Sequence, residues 1–176
     1  MMLLHMKGES NLMQIKNMIR DFNDDRKNEI RGIFASIFIL QNRLQTIFDK
    51  TDEHLTLKQF MLLTMVKYAD EKTTFTYLGK LLGSSRQNIK KLVVSLEKKG
   101  FITIEHEPNN KRNTSIALTK KADEYSQKIQ GLHTAKLNDI FQDYSTEEIH
   151  LFYQMITKLY TGVEREETYS IPSPFV

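Results

Sequence analysis

The sequence predicts a mainly α-helical fold with one small β-hairpin. Apolar residues recur at steps of three and four along most of the chain, as they do on one face of an α-helix. Clear two-residue alternation is confined to two short stretches, at Ile102 and Ile104 and again at Ile116 and Leu118, which is typical of strands. Ser or Thr begins several helical stretches and Gly ends two of them, as expected for capped helices.

The first part of the chain is predicted to hold three helices. A short helix over about 10–22 lies in an N-terminal extension, residues 1–28, that ends in the polar break DFNDDRKN. A longer helix over 29–49 has an apolar stripe wider than one packing face needs. Thr56 and Gln59 are spaced as a capping box that starts the third helix.

The second part is predicted to hold two short helices, a hairpin and two longer helices. One helix follows Thr74 and ends at Gly83, and Ser84 or Ser85 caps the next, which stops at Gly100. The hairpin turns at PNNK and leads into a helix over about 122–141. Ser145 and Glu148 form a second capping box. The tail over 163–176, with two prolines and no apolar period, is predicted to be loosely ordered.

Composition excludes several classes of protein. The chain has 176 residues and no cysteine, which excludes thiol chemistry and suits a reducing, cytoplasmic compartment. No apolar run is long enough for a membrane span or a signal peptide. No phosphate loop, dinucleotide fingerprint or nucleophile elbow occurs, so neither catalytic activity nor a cofactor is expected. The five histidines lack metal-ligand spacing within one helix; a pairing of His133 with His150 is the remaining alternative for a metal.

Positive charge is concentrated in one segment. Residues 78–121 hold ten Lys or Arg against three Glu, whereas the whole chain has a net charge of only +3. The rest of the chain is therefore net acidic, and the asymmetry indicates a face that binds a polyanion such as nucleic acid. A solvated surface of scattered lysines is the alternative.

The two short helices have the spacing of a helix-turn-helix. Leu78, Leu82, Ile89 and Leu92 are apolar at the positions that would lock the helices together. Gly79 would allow close approach, while Gly83 lies at the turn. Together with the hairpin, this spacing predicts a winged helix-turn-helix.

The side of the second helix opposite its apolar stripe carries polar and basic residues. Gln87 and Asn88 can pair with adenine and Lys91 with guanine, Val94 can meet a thymine methyl group, and Arg86 can hold phosphate. At the hairpin tip, basic side chains can reach a minor groove. The candidate DNA-binding residues are Ser85, Arg86, Gln87, Asn88, Lys90, Lys91, Val94, Lys111 and Arg112.

Residues 55–122 resemble the MarR family of transcription regulators. The matching stretches are LTLKQF, TFTYLGKLLGSSRQNIKKLVVSLEKKGFI and EPNNKRNTSIALTKKA. Two positions depart from the family pattern. Asn110 replaces the wing Asp that would orient Arg112, so the direction of the Arg112 side chain is less fixed. Ala122 replaces a Gly.

The resemblance implies a homodimer that binds a pseudo-palindromic promoter site and represses transcription. The implied organisation is a dimerisation helix over 29–54, a winged helix-turn-helix domain over 55–121 and C-terminal dimerisation helices over 122–162. The apolar stripes agree, since they exceed what a small winged domain can cover. The candidate dimerisation residues are Ile30, Ile33, Ile37, Ile149, Phe152, Tyr153, Ile156 and Tyr160.

The resemblance also implies a small-molecule effector that releases the DNA. The candidate pocket residues are Phe34, Phe38, Phe60 and Tyr68, although aromatic residues at this spacing are also typical of an ordinary core. Two functional alternatives stay open: a transcriptional activator or low-specificity DNA binder, and a winged-helix module that binds a protein partner.

Overall fold

The computed structural model describes residues 25–70, 73–107 and 110–169, together with Gln14, Asn17, Met18 and Arg20. Of residues 106, 107 and 110–113 only the backbone is described. Within this part of the chain, the elements are α1 (Arg26–Thr51), α2 (Leu57–Lys67), α3 (Phe75–Leu81), α4 (Arg86–Lys98), β1 (Ile102–Glu107), β2 (Asn110–Leu118), α5 (Lys120–Ile140) and α6 (Thr146–Thr168).

The predicted mainly α-helical fold with a hairpin is therefore confirmed. Gln14, Asn17, Met18 and Arg20 are helical, and the rest of the helix predicted over 10–22 lies outside the described residues. The chain divides into two compact units, Met1–Gln130 and Gly131–Val176.

Helix α1 begins earlier than predicted because Asp25 caps it. The Asp25 side chain accepts a hydrogen bond from the backbone N–H of Asn28 at 2.8 Å. Only Gly32 and Phe48 are buried on this helix. Most of its wide apolar stripe therefore faces solvent in a single chain.

A compact core lies between α2, α3, α4, the start of α5 and the hairpin. Its buried members are Leu55, Leu62, Leu63, Leu78, Ile89, Val93, Leu96, Phe101, Ile102, Ile116 and Ala122. Because Ala122 is fully buried and Tyr125 packs on this cluster, the first turns of α5 belong with the winged domain. The compact unit that contains this cluster ends at Gln130.

Local signals fix the starts of α2, α3 and α4 and the end of α4 as predicted. Thr56 and Gln59 form the capping box of α2, Thr74 caps α3, and Ser85 caps α4. Gly100 has a φ of 76°, the left-handed conformation that ends a helix most readily at glycine. These caps set where α4 starts and stops, and so which of its side chains reach solvent.

The hairpin is an antiparallel pair in which Ile102 lies opposite Leu118 and Ile104 opposite Ile116. A third segment joins it. The N–H of Ile116 donates to the carbonyl oxygen of Thr73 at 2.9 Å, and the Thr73 hydroxyl donates to the carbonyl oxygen of Ile116. The wing is thereby fastened to the linker between α2 and α3, a contact that the sequence did not predict.

The second unit contains the end of α5 and all of α6. The predicted capping box of Ser145 and Glu148 is present at the start of α6, and no residue of that helix is buried. Residues 163–168 of the tail predicted to be loosely ordered belong to α6, which continues to Thr168, and residues 170–176 lie outside the described part of the chain. No proline interrupts the helix before Thr168, and the Thr168 hydroxyl donates to the carbonyl oxygen of Glu164 at 3.2 Å.

Candidate nucleic-acid interface

Helices α3 and α4 meet at a close backbone contact. A Cβ added to Gly79 would lie 2.7 Å from the carbonyl oxygen of Ser84, closer than real side chains allow. Gly83 has a φ of 56°, and the N–H of Ser84 donates to the carbonyl oxygen of Gly79 at 2.8 Å. With Leu78 and Ile89 fully buried, this turn forms the helix-turn-helix that the sequence predicted.

The outward side of α4 presents most of the predicted DNA-binding residues to solvent. Ser85, whose hydroxyl accepts from the N–H of Asn88 at 3.2 Å, orients the first turn. Val94 is only partly exposed. The exposed members of the set are Ser85, Arg86, Gln87, Asn88, Lys90 and Lys91.

An open depression of about 540 Å³ runs along this side of the helix. The residues that line it are Gln87, Lys90, Lys91, Val94, Ser95 and Lys98. The helix carries a single acidic residue, Glu97. Among the described residues, no carboxylate forms an ion pair with Arg86, Lys90 or Lys91, so their charge is available to a phosphate backbone.

Two of the ten cations in residues 78–121 serve the fold itself. Lys99 Nζ donates to the carbonyl oxygen of His54 at 2.6 Å and to Gln59 Oε1 at 3.0 Å. Lys121 Nζ donates to the carbonyl oxygen of Lys99 at 2.6 Å and lies 4.7 Å from the centre of the Phe101 ring. The charge excess at the interface is thus smaller than the sequence count indicates.

The wing adds two more basic residues to the basic segment of the sequence. The backbones of Lys111 and Arg112 belong to β2, but their side chains and that of Asn110 lie outside the described residues. Their predicted contacts with a minor groove stay predictions.

The candidate effector residues are mostly exposed. Phe34 is 64% and Tyr68 73% exposed, whereas Phe60 is partly buried. The rings of Phe34 and Phe38 pack edge to face with their centres 5.0 Å apart. A ligand role for these four residues stays a prediction.

The candidate dimerisation residues form exposed apolar faces on two helices. On α1, Ile30, Ile33 and Ile37 are 41–57% exposed. The α6 members are Ile149, Phe152, Tyr153, Ile156 and Tyr160, all exposed. Within the second unit, several of them line an apolar groove of about 570 Å³ with Leu137 and Phe141. The role of these faces in dimerisation stays a prediction.

Sequence reasoning missed the polar contacts behind α4. Gln59, assigned only to a helix cap, also donates from Nε2 to Ser95 Oγ at 3.0 Å. Asp52 Oδ1 accepts a hydrogen bond from the Tyr125 hydroxyl. Burial, the hydrogen bond to Asp52 and the negative charge of Asp52 raise the pKa of Tyr125 well above its ordinary value. The capping motif alone could have drawn attention to Gln59; no local signal marks Asp52 or Tyr125.

In the part of the chain that the structure describes, no group of three or more His, Asp or Glu residues could hold a metal ion. Nor is any described helix long and apolar enough to cross a membrane.

A helix-turn-helix with an exposed basic second helix and a two-stranded wing defines a winged helix-turn-helix protein. Residues 55–113 match the family model described as MarR family. The winged helix-turn-helix segment is therefore similar to this family, and the comparisons support a MarR-type winged-helix transcription regulator. Members of the family are regulators and not enzymes, which confirms the expectation of no catalytic activity.

Three similar proteins illustrate the relationship. The chain is 24% identical over 131 residues to the HTH-type transcriptional repressor YetL of Bacillus subtilis. The matched region covers 73% of this chain and 78% of YetL. A MarR/EmrR family transcriptional regulator from Acinetobacter sp. ADP1 has a similar fold, with a TM-score of 0.67, 17% identity and coverage of 77% and 96% of the two chains. The S. aureus MepR–DNA complex gives a TM-score of 0.64 at 17% identity, covering 73% and 97%.

Proposed function

We propose that the protein is a sequence-specific transcriptional repressor that acts as a homodimer on a pseudo-palindromic promoter site. Each chain would place the N-terminal half of α4 in a major groove, as recognition helices do. Repression would follow from occupation of the promoter.

The observation that carries the proposal is the composition of the exposed side of α4. Gln87 and Asn88 offer amide groups that can pair bidentately with adenine, and Lys91 can donate to guanine. Around them, Arg86 and Lys90 are exposed cations without a described acidic partner. A surface that bound duplex only through its charge would not need two exposed amides among these cations.

Homodimerisation is supported by the apolar faces of α1 and α6. On α1, Ile30 is 49% and Ile33 57% exposed, and α6 has no buried residue along its 23 residues. Large apolar surface of this kind marks an interaction site. A second copy would supply two recognition helices about one DNA turn, roughly 34 Å, apart.

Repression and effector release are the finer parts of the proposal. The relative YetL is named a repressor, and MepR has been solved with DNA. The exposed rings of Phe34 and Phe38 are where a small molecule could bind and release the DNA.

A fluorescence-anisotropy titration tests the proposal. A duplex from upstream of the protein's own coding sequence is compared with random duplex at two salt concentrations, for the wild type, Lys91→Ala and Arg112→Ala. Lys128→Ala, an exposed lysine on α5, is the control. We expect the wild type to prefer the upstream duplex, and its log K to fall by about 0.9 per phosphate contact for each unit of log salt concentration. Lys91→Ala and Arg112→Ala should bind more weakly, and Lys128→Ala should bind like the wild type.

Equal and weak binding of both duplexes by the wild type would contradict the proposal and favour the protein-interaction module. Transcription in vitro from the same promoter then decides the sign of regulation. Added protein should lower transcript yield, and a rise in yield would make the protein an activator.

A further inference from the structure

We propose that a set of polar contacts behind α4 positions this helix for DNA reading by fixing it to the end of α1 and to α5. The set, named here the polar joint, consists of Asp52, Gln59, Ser95, Lys99 and Tyr125. The inference rests on the proposed homodimer, because the joint would set the separation of two recognition helices on one duplex. None of these residues belongs to the predicted DNA-binding set.

Gln59 connects the start of α2 to the middle of α4. It is 6% exposed, and each polar atom of its side chain has a partner. Oε1 accepts from the N–H of Thr56 at 3.2 Å and from Lys99 Nζ at 3.0 Å, and Nε2 donates to Ser95 Oγ at 3.0 Å. Ser95 lies one helical turn after Lys91 and lines the same depression. One hydrogen bond thus separates buried Gln59 from the side of α4 proposed to face DNA.

Lys99 connects the end of α4 to the loop after α1. Its ammonium group reaches the carbonyl oxygen of His54 at 2.6 Å, and its own carbonyl oxygen accepts from Lys121 Nζ at 2.6 Å. The last turn of α4 is therefore held from the α1–α2 loop on one side and from α5 on the other.

Asp52 completes the connection to α1. It follows the last residue of α1 and is 6% exposed. Its Oδ1 accepts from the N–H groups of His54 at 2.8 Å and Leu55 at 3.0 Å and from the Tyr125 hydroxyl. The ring of Tyr125 packs edge to face on Phe101, with the ring centres 5.2 Å apart. The loop segment that Asp52 shapes is the one that offers its carbonyl oxygen to Lys99.

Directional contacts of this kind suit positioning better than stability alone. Buried polar groups are costly to desolvate, and apolar side chains of similar volume often stabilise a fold as well or better. Hydrogen bonds, however, fix angles and register that apolar contacts leave free to slide. A small rotation of α4 at its base would change the distance between two recognition helices, which must match one turn of DNA.

The preferred length of the spacer between two DNA half-sites distinguishes a positioning role of the polar joint from a purely stabilising one. A preferred duplex is first selected from a random pool with the wild-type chain, and the spacer between its half-sites is then shortened or lengthened by one and two base pairs. Dissociation constants for this series and for random duplex are measured well below the melting temperature of each variant. The joint is disrupted by Tyr125→Phe, which removes only the hydroxyl, and by Gln59→Met, which removes all of its polar contacts at similar volume.

One matched variant serves as the control. Tyr68→Phe removes a hydroxyl from a tyrosine that is 73% exposed and should retain the wild-type spacer profile. Tyr125→Phe should bind the optimal spacer about tenfold more weakly, the factor expected for one lost hydrogen bond, and Gln59→Met, which loses three, at least as weakly. Both variants should discriminate less between spacers and bind random duplex as before.

Folded variants that keep the wild-type spacer profile, even with lower melting temperatures, would overturn the inference. If Gln59→Met does not fold, Tyr125→Phe decides alone, because its ring packing is retained. A wild-type chain that selects no duplex with two half-sites would contradict the proposed function itself, and the inference would fail with it.

Discussion

Gly79 determines how closely α3 approaches the turn before α4. The atom that a side chain would meet is the backbone oxygen of Ser84, at 2.7 Å from an added Cβ, and a backbone atom cannot move aside as a flexible side chain can. Fully buried Leu78 precedes this glycine and holds α3 against the core. The angle between the two helices therefore depends on the absence of one methyl group.

Gly79→Ala should lower the free energy of unfolding by about 1–3 kcal/mol, the usual cost of overpacking. Gly131→Ala is the matched control, since an added Cβ there meets nothing within 4 Å. In a helix interior that change should stabilise the protein by up to about 1 kcal/mol. Urea denaturation of both variants measures the two effects, and a Gly79→Ala variant as stable as the wild type would refute the close-contact argument.

Tyr125 should make stability fall at alkaline pH. In the unfolded chain its phenol ionises near pH 10, whereas burial and Asp52 raise its pKa in the folded protein. The unfolded state thus loses a proton first, and the free energy of unfolding decreases as pH rises above about 10. This contribution is fully present below that pH.

Tyr125→Phe should remove this part of the alkaline destabilisation. Denaturant midpoints of the wild type and the variant, followed from about pH 8 to 11, should converge as pH rises. Lysine titration is common to both proteins and cancels in the comparison. Parallel curves over the whole range would show that Asp52 and Tyr125 do not interact as described.

At the scale of elements, sequence signals succeed where the physical cause is local. Three helices are capped by a hydroxyl group that accepts a hydrogen bond from the backbone N–H three residues later; the capping residues are Thr56, Ser85 and Ser145. A window of four residues therefore contains the whole interaction. Gly100 similarly needs only its own backbone conformation. The predicted starts of α2, α4 and α6 and the predicted stop of α4 follow from such windows.

Contacts between distant elements could not be predicted in this way. Thr73 and Ile116 are 43 residues apart, and Asp52 and Tyr125 are 73 residues apart. Nothing near either partner marks the other, because the pairing depends on how the helices pack. For the same reason the sequence assigned Lys99 and Lys121 to the basic surface, although both hold the C-terminal end of α4.

The apolar face of α6 should be required for association of two chains. Replacing both Phe152 and Ile156, which line the groove of the second unit, with glutamine should yield a monomer in sedimentation-velocity runs. Lys158→Gln changes an exposed residue on the opposite side of the same helix and should leave the dimer intact. A double variant that still sediments as a dimer would place the interface elsewhere.

For the whole molecule, a dimer formed through the exposed apolar surface of α1 and α6 would link stability to concentration. If two folded chains associate and unfolded chains do not, mass action raises the melting temperature as protein concentration rises. Thermal melts over a hundredfold range of concentration should show this shift in the wild type. The Phe152 and Ile156 double variant should melt at one temperature throughout, and a wild type with a constant melting temperature would argue against a dimer.

The proposed function requires that α4 of two chains reads duplex DNA in successive major grooves. Footprinting with 7-deazapurine interference on the preferred duplex tests it, because replacing purine N7 with carbon removes a major-groove acceptor. We predict two protected segments about one turn, roughly 34 Å, apart, each with interfering purines, and loss of interference at one purine per segment in Gln87→Ala. Continuous protection without interfering purines, or an unchanged pattern in Gln87→Ala and Asn88→Ala, would contradict the account.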